Sequence, residues 1–431
     1  GVRGRRGRLG DPGAEAEDDA QGRDGLDRAR LTGIGMQGAR TRGQPAALAA
    51  VGSMMRGGAP HAVLLVGPAG IGKTTLALDL AAGLLCTAEE IGARPCGACR
   101  ACRLVASGTH PDVHRIAPEG PGRQVVIGGP GARARGIRDL IGELSLLPVE
   151  GGARIAIIEA AHRMNEDAQA ALLKTLEEPP SGVSLILCAD AEEPLLPTIR
   201  SRCARLRLGP VGTREVEAIL DEHGVADAPL AARLARIAAG RPGLALAWAR
   251  QPEALHARDE LSRTLLDLLD ARPGERLAGV RAAALRAASL SGVGDRASDR
   301  IAPAGPATAP VPLAAPATPE STDPDDLAED AGPVTRTPAS ERRRAAEALI
   351  GLWTDVARDL ALCRRGLDGS VRDLGLLDET ARAAARIDPN DLDGFLDRLG
   401  RAAVLIIGNV SPELLLDDLA LAWPRARLAA A

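Results

Sequence analysis

Aromatic side chains are almost missing from this chain. Its 431 residues include Trp248, Trp353, Trp423 and Phe395, and no tyrosine. Nucleic-acid binding by stacking bases on aromatic platforms is therefore not the expected mode. Lysine is nearly absent too: Lys73 and Lys174 stand against 51 arginines. The formal net charge of −4 gives no overall basic field, so any contact with a phosphate backbone must be local. No apolar run reaches the length needed to span a bilayer, and the charged, Gly-rich start has no apolar h-region. The expectation is a cytoplasmic protein without membrane contact.

What is present divides the chain. Residues 1–32 are rich in Arg, Asp, Glu and Gly and read as a disordered tail. From about 43 onward apolar periodicity begins, with PAALAAVGSMM suited to a helix. HAVLLVG (61–67), ARIAIIEAA (153–161) and VSLILCAD (183–190) are short apolar runs that predict buried parallel strands. NEDAQAALLKTLEE (165–178) predicts a helix capped by Asn165 and stopped by Pro179 and Pro180. Strands alternating with helices imply an α/β parallel sheet covered on both faces over 33–210. After Pro210 the pattern turns helical: a small unit at 211–250, then an all-α domain at 251–431. Residues 292–340 are rich in Ala, Pro, Thr and Asp and read as a flexible insertion.

The two lysines sit in recognisable strings. GPAGIGKTT at 67–75 fits G-x-x-x-x-G-K-[ST] between a predicted strand and a predicted helix, the context that a phosphate loop requires. Gly67, Gly70 and Gly72 let backbone amides turn toward phosphates, Lys73 reaches the outer phosphates, and Thr74, with Thr75 beside it, ligates magnesium. ATP with Mg²⁺ is the expected ligand. Turnover needs more: an acidic pair after the strand at 155–158, one acid for magnesium and one to orient water. Here the pair is Glu159 and Ala160, and an alanine cannot position water. His162 reads as a hydrogen-bonding structural histidine. Asp190 stands where a polar sensor of the terminal phosphate is expected, and a carboxylate there is electrostatically awkward. The loop therefore reads as one that binds nucleotide without turning it over.

Four of the seven cysteines fall at Cys86, Cys96, Cys99 and Cys102, spaced C-x9-C-x2-C-x2-C. In a reducing cytosol this spacing points to metal rather than disulfides, and four thiolates close a tetrahedral structural site with no position open for substrate. Zinc is the expected ion, and the spacing alone leaves iron open. His110 and His114 are superfluous as ligands. Lys174 reads as structural. Arg202, in the string Ser201-Arg202-Cys203, reads by itself as a surface charge.

The order of a phosphate loop, a four-Cys module, ALLKTLEEPP and PTIRSRC resembles the bacterial DNA polymerase III clamp loader, an AAA+ family, over about residues 43–250. HPDV at 110–113 is similar to the segment after that family's metal module. The resemblance implies an AAA+ P-loop domain with a zinc module, a helical lid and an all-α collar that joins a five-membered ring. It implies gamma/tau and delta subunits, the sliding clamp and primer-template DNA, held through its phosphates, as partners. Two members compete. The delta-prime type has degraded catalytic residues and donates an arginine finger from its SRC string; the gamma/tau type is the ATP-hydrolysing motor. Ala160 favours the first, as does Gly243 where the motor's nucleotide-sensing arginine is expected, while the intact loop departs from delta-prime members that have lost it. By this resemblance Arg202 acts in trans on a neighbour's ATP, an effect worth ~10³–10⁵ in rate where measured in GTPases.

Overall fold

The computed structural model describes residues 36, 38–58, 60–118, 124–129, 132, 134–150, 152–291, 338–406 and 410–426. The expected tail 1–32 and nearly all of the insertion 292–340 lie outside these; residues 339–340 already belong to a helix. The described chain forms two compact units.

The first unit contains α1 (Pro45–Gly57), β1 (Ala62–Val66), α2 (Lys73–Leu85), α3 (Arg100–Ser107), β2 (Val113–Ile116), α4 (Ile137–Leu144) and β3 (Arg154–Ile158). It continues with α5 (Glu166–Glu177), β4 (Val183–Ala189), α6 (Pro197–Arg202), β5 (Ala204–Arg207) and α7 (Thr213–Glu222). The strands make one parallel sheet in the order β2-β3-β4-β1-β5. Alternate side chains of a strand face opposite sides. Val63, Leu65, Ile155, Ile157 and Ile186 accordingly pack with Leu76 and Leu80 of α2 and Val105 of α3. Leu64, Ile158, Leu185 and Leu187 pack on the other face with Leu140 of α4, Leu172 of α5 and Ile199 of α6. Both faces are covered, which is why β1 is apolar throughout and β3 and β4 are apolar except at Arg154 and Ser184. Asn165 caps α5 as expected, its Oδ1 accepting from Ala168 N at 3.0 Å.

The second unit holds α8 (Ala228–Ile237), most of α9 (Pro242–Arg250), α10 (Pro252–Asp267) and α11 (Pro273–Ser291). It ends with α12 (Ala339–Arg364), α13 (Leu377–Ala384), α14 (Pro389–Leu405) and α15 (Pro412–Ala422). Its core gathers Trp353, Phe395 and Trp423, with ring centroids 4.7–5.5 Å apart. The stretch 211–250, expected as a separate lid, is shared between the units. Val211 N donates to Gly240 O at 2.9 Å, which keeps 238–242 with the sheet. Arg233 of α8 bonds Asp259 at 2.7 Å and Asp373 at 3.2 Å, which ties α8 to the helical unit. Among the described residues no helix is long and apolar enough to cross a membrane.

Candidate nucleotide and metal sites

The phosphate loop sits at the carboxyl end of β1, where ligands of open parallel sheets bind. Gly67 is required by space: a Cβ there would lie 2.7 Å from Leu208 O. Gly72, immediately before α2, has φ +106°, a left-handed value that glycine tolerates. These residues fit a phosphate cradle. Lys73 opens α2 and is buried, and its Nζ donates to Gly67 O (2.6 Å), Pro68 O (2.9 Å) and Asp190 Oδ1 (2.7 Å). The carboxylate flagged as awkward from the sequence is thus a partner of the loop lysine.

Glu159 follows β3 and is buried, and Arg115 at the end of β2 donates to its Oε1 from Nε (2.9 Å) and Nη2 (2.5 Å). Ala160 has φ +47° and offers only a methyl group. His162 Nδ1 accepts from Asp190 N at 3.1 Å, so it fixes the backbone after β4. Cys188 lies beneath this group, and burial pushes its thiol up to about 12. It is inert.

The four thiols come together. The Sγ atoms of Cys86, Cys96, Cys99 and Cys102 lie within 4.8 Å of one another. The Cys86–Cys99 and Cys96–Cys102 separations are 3.9 and 4.0 Å. A tetrahedron with metal–sulfur bonds of about 2.3 Å has edges of about 3.8 Å, so the arrangement fits a metal ion. Cys99 N donates to Cys96 Sγ at 3.3 Å and Cys102 N to Cys99 Sγ at 3.4 Å, bonds that stabilise thiolates. At Cys99 desolvation opposes ionisation, but the Cys102 and Thr87 amides outweigh it and bring the thiol down to about 6. Burial pushes Cys102 up. The module is strapped down by residues 38–42: Gly38 N donates to Pro95 O at 2.9 Å, and a Cβ on Gly38 would meet Gly97 N at 2.2 Å. Asp79 of α2 anchors the strap, accepting from Thr41 N (2.8 Å), Thr41 Oγ1 (2.6 Å) and Arg40 N (3.0 Å).

Arg202 ends α6 and is partly exposed. Its Nη2 pairs with Glu177 of α5 at 2.7 Å and its Nη1 donates to Thr198 O at 3.0 Å. Ser201 Oγ donates to Thr198 O, and Cys203 is buried. Lys174 is exposed. His110 and His114 stand apart from the thiols in the hydrogen-bonding sense: His110 Nδ1 accepts from Asp112 N, and His114 Nδ1 lies 2.7 Å from Glu143. Sequence reasoning missed Arg115, Asp79 and Asp112. Asp112 is fully buried and accepts from Val149 N (2.7 Å) and Glu150 N (2.9 Å). The only signal for it was the HPD string.

Residues 44–212 match the family described as DNA polymerase III, delta subunit. The delta' subunit of DNA polymerase III from Pseudomonas aeruginosa is 43% identical over 145 residues, which cover 34% of this chain and 42% of that protein. The delta' subunit from Escherichia coli is 36% identical over 217 residues, covering 50% of this chain and 62% of that protein. The tau subunit from Escherichia coli is 35% identical over 185 residues, covering 42% and 27% respectively. Over the sheet unit the chain is thus similar both to subunits named delta' and to one named tau. The chain spans roughly 42–62% of the length of these two delta' relatives.

Proposed function

We propose that the chain is a delta-prime-type subunit of a DNA polymerase III clamp loader, one that grips a nucleotide without hydrolysing it and lends Arg202 to a neighbour. The observation that carries this reading is the end of β3. Glu159 is neutralised by Arg115, and the next residue is Ala160 in a left-handed turn, with no side chain to orient an attacking water. Gly67, Gly70, Gly72, Lys73, Thr74 and Thr75 would hold ATP with Mg²⁺, the ion adding charge neutralisation at the phosphates. Cys86, Cys96, Cys99 and Cys102 would hold structural zinc.

Arg202 is partly exposed and, among the described residues, pairs with Glu177 and with its own helix, so a neighbour's triphosphate can outbid a half-exposed carboxylate. A polyphosphate offers more negative charge and bidentate acceptors to the guanidinium. The partners on this reading are gamma/tau and delta subunits, the sliding clamp and primer-template DNA, the last through its phosphates. The test is reconstitution of the loader with Arg202→Ala. Assembly should persist while clamp-stimulated ATPase of the complex falls by at least tenfold, the low end for a lost finger being ~10³ in GTPases. Unchanged ATPase refutes the finger.

The intact phosphate loop favours a second reading, a gamma/tau-type motor. Brisk ATP turnover by the purified chain, abolished by Lys73→Ala, would establish it.

A further inference from the structure

We infer that Asp190 makes this phosphate loop select nucleoside diphosphate over nucleoside triphosphate. The inference rests on the loop's binding nucleotide, as proposed above, and adds the chemical class that it prefers.

The strand order places β4 between β3 and β1. The residue after β4 is therefore set between Glu159, after β3, and Gly67, after β1. In a phosphate loop the backbone amides cradle the inner phosphates, and the lysine reaches the outer ones. A terminal phosphate projecting beyond the cradle heads for the space beside the lysine and the strand-end acid. Asp190 already stands there. Its Oδ1 is 2.7 Å from Lys73 Nζ, and the other two contacts of that ammonium go to Gly67 O and Pro68 O. An ammonium has three donors and no acceptor, so three acceptors saturate it.

Asp190 is also held in place. Its backbone N donates to His162 Nδ1 at 3.1 Å, and the carbonyl of Ala189 accepts from Gly67 N at 3.2 Å. The backbone is thus tied to the loop on one side and to the segment after β3 on the other. The charged groups around the carboxylate are Lys73 and the Arg115–Glu159 pair at the ends of neighbouring strands, and the titratable His162 has its Nε2 3.7 Å from Oδ2. Arg115 is committed to Glu159 by two hydrogen bonds. A third phosphate would therefore face the Asp190 carboxylate and compete with it for Lys73. A diphosphate meets Lys73 through its β-phosphate alone and ends before the carboxylate, so it is repelled less. Two groups of like charge a few ångströms apart in a partly buried site repel appreciably.

The experiment is calorimetric titration of the full chain with Mg²⁺–ADP and Mg²⁺–ATP, using wild type, Asp190→Asn and Lys73→Ala. The wild type should bind ADP about tenfold more tightly than ATP, and Asp190→Asn should remove most of that gap by tightening ATP. Asp190→Ser repeats the measurement without an amide that could keep the lysine contact, and thermal melts verify folding of each variant. Lys73-dependent binding with the same ADP-to-ATP ratio in wild type and in both Asp190 variants overturns the selectivity assignment alone. Binding that is absent throughout, or indifferent to Lys73→Ala, overturns the nucleotide reading and this inference with it.

Discussion

Replacing Asp373 with asparagine should weaken the helical unit more than any change at the phosphate loop. Asp373 is buried, and it accepts from Arg258 Nη1 at 2.6 Å and from Arg233 at 3.2 and 3.3 Å. Arg258 is buried as well, while Arg233 retains a second partner in Asp259 at 2.7 Å. Desolvation alone would raise the Asp373 carboxyl, but Arg258 and Arg233 together hold it below its ordinary value. One pair of unit charges about 4 Å apart is worth roughly 4 kcal/mol at an effective dielectric of 20. Breaking a buried pair from one side costs about 3–5 kcal/mol, because the other charge stays buried. Arg233 keeps Asp259 at 2.7 Å whereas Arg258 keeps it only at 3.6 Å, so most of the loss falls on Arg258. The depressed value also sets a pH dependence. The stabilisation is full above the ordinary carboxylate pKa and is lost as pH falls through the lower folded value. Denaturant unfolding followed by tryptophan fluorescence measures this directly, since Trp248, Trp353 and Trp423 all belong to the helical unit. Asp373→Asn should lower unfolding free energy by about 3 kcal/mol and flatten the acid limb. A loss under about 1 kcal/mol, the scale of an exposed pair, would refute the reasoning.

Other outcomes follow from the sheet unit. Gly67→Ala should cost about 1–3 kcal/mol, because the new methyl meets Leu208 O rather than a side chain that can move; an unchanged melting temperature would contradict the geometry. Ala160→Gly should stabilise by about 0.5–1 kcal/mol by relieving the left-handed turn, and a loss of stability would contradict it. Purified chain should carry one zinc, released by a strong chelator and diminished in Cys99→Ser. Metal analysis that finds no metal, or full occupancy in Cys99→Ser, excludes the four-thiol site. Isolated chain should show background ATP turnover only, measured by phosphate release.

The central strands were legible because β1, β3 and β4 are buried on both faces and read as apolar runs, interrupted only by Arg154 at the start of β3 and Ser184 in β4. The edge strands were not. β2 and β5 each pair with one neighbour, span four residues, and carry Arg115, Arg205 and Arg207. Nothing in VHRI or ARLR distinguishes them from loop. The same divide runs through the site. The glycine loop and the Cys module are contiguous and were found. Lys73 with Asp190, 117 residues apart, and Arg115 with Glu159, 44 apart, are joined only by strand order. Asp190 was singled out as a problem, but no sequence rule could name its partner.

Helix α2 begins with the loop lysine, carries the strap anchor Asp79 at its middle, and delivers Cys86 at its C-cap. Thirteen helical residues make a rod about 20 Å long. The phosphate end and the thiolate end therefore cannot be repositioned independently. An ion lodged among the cysteines would thus serve as ballast for the far tip, steadying the ammonium that would meet a nucleotide.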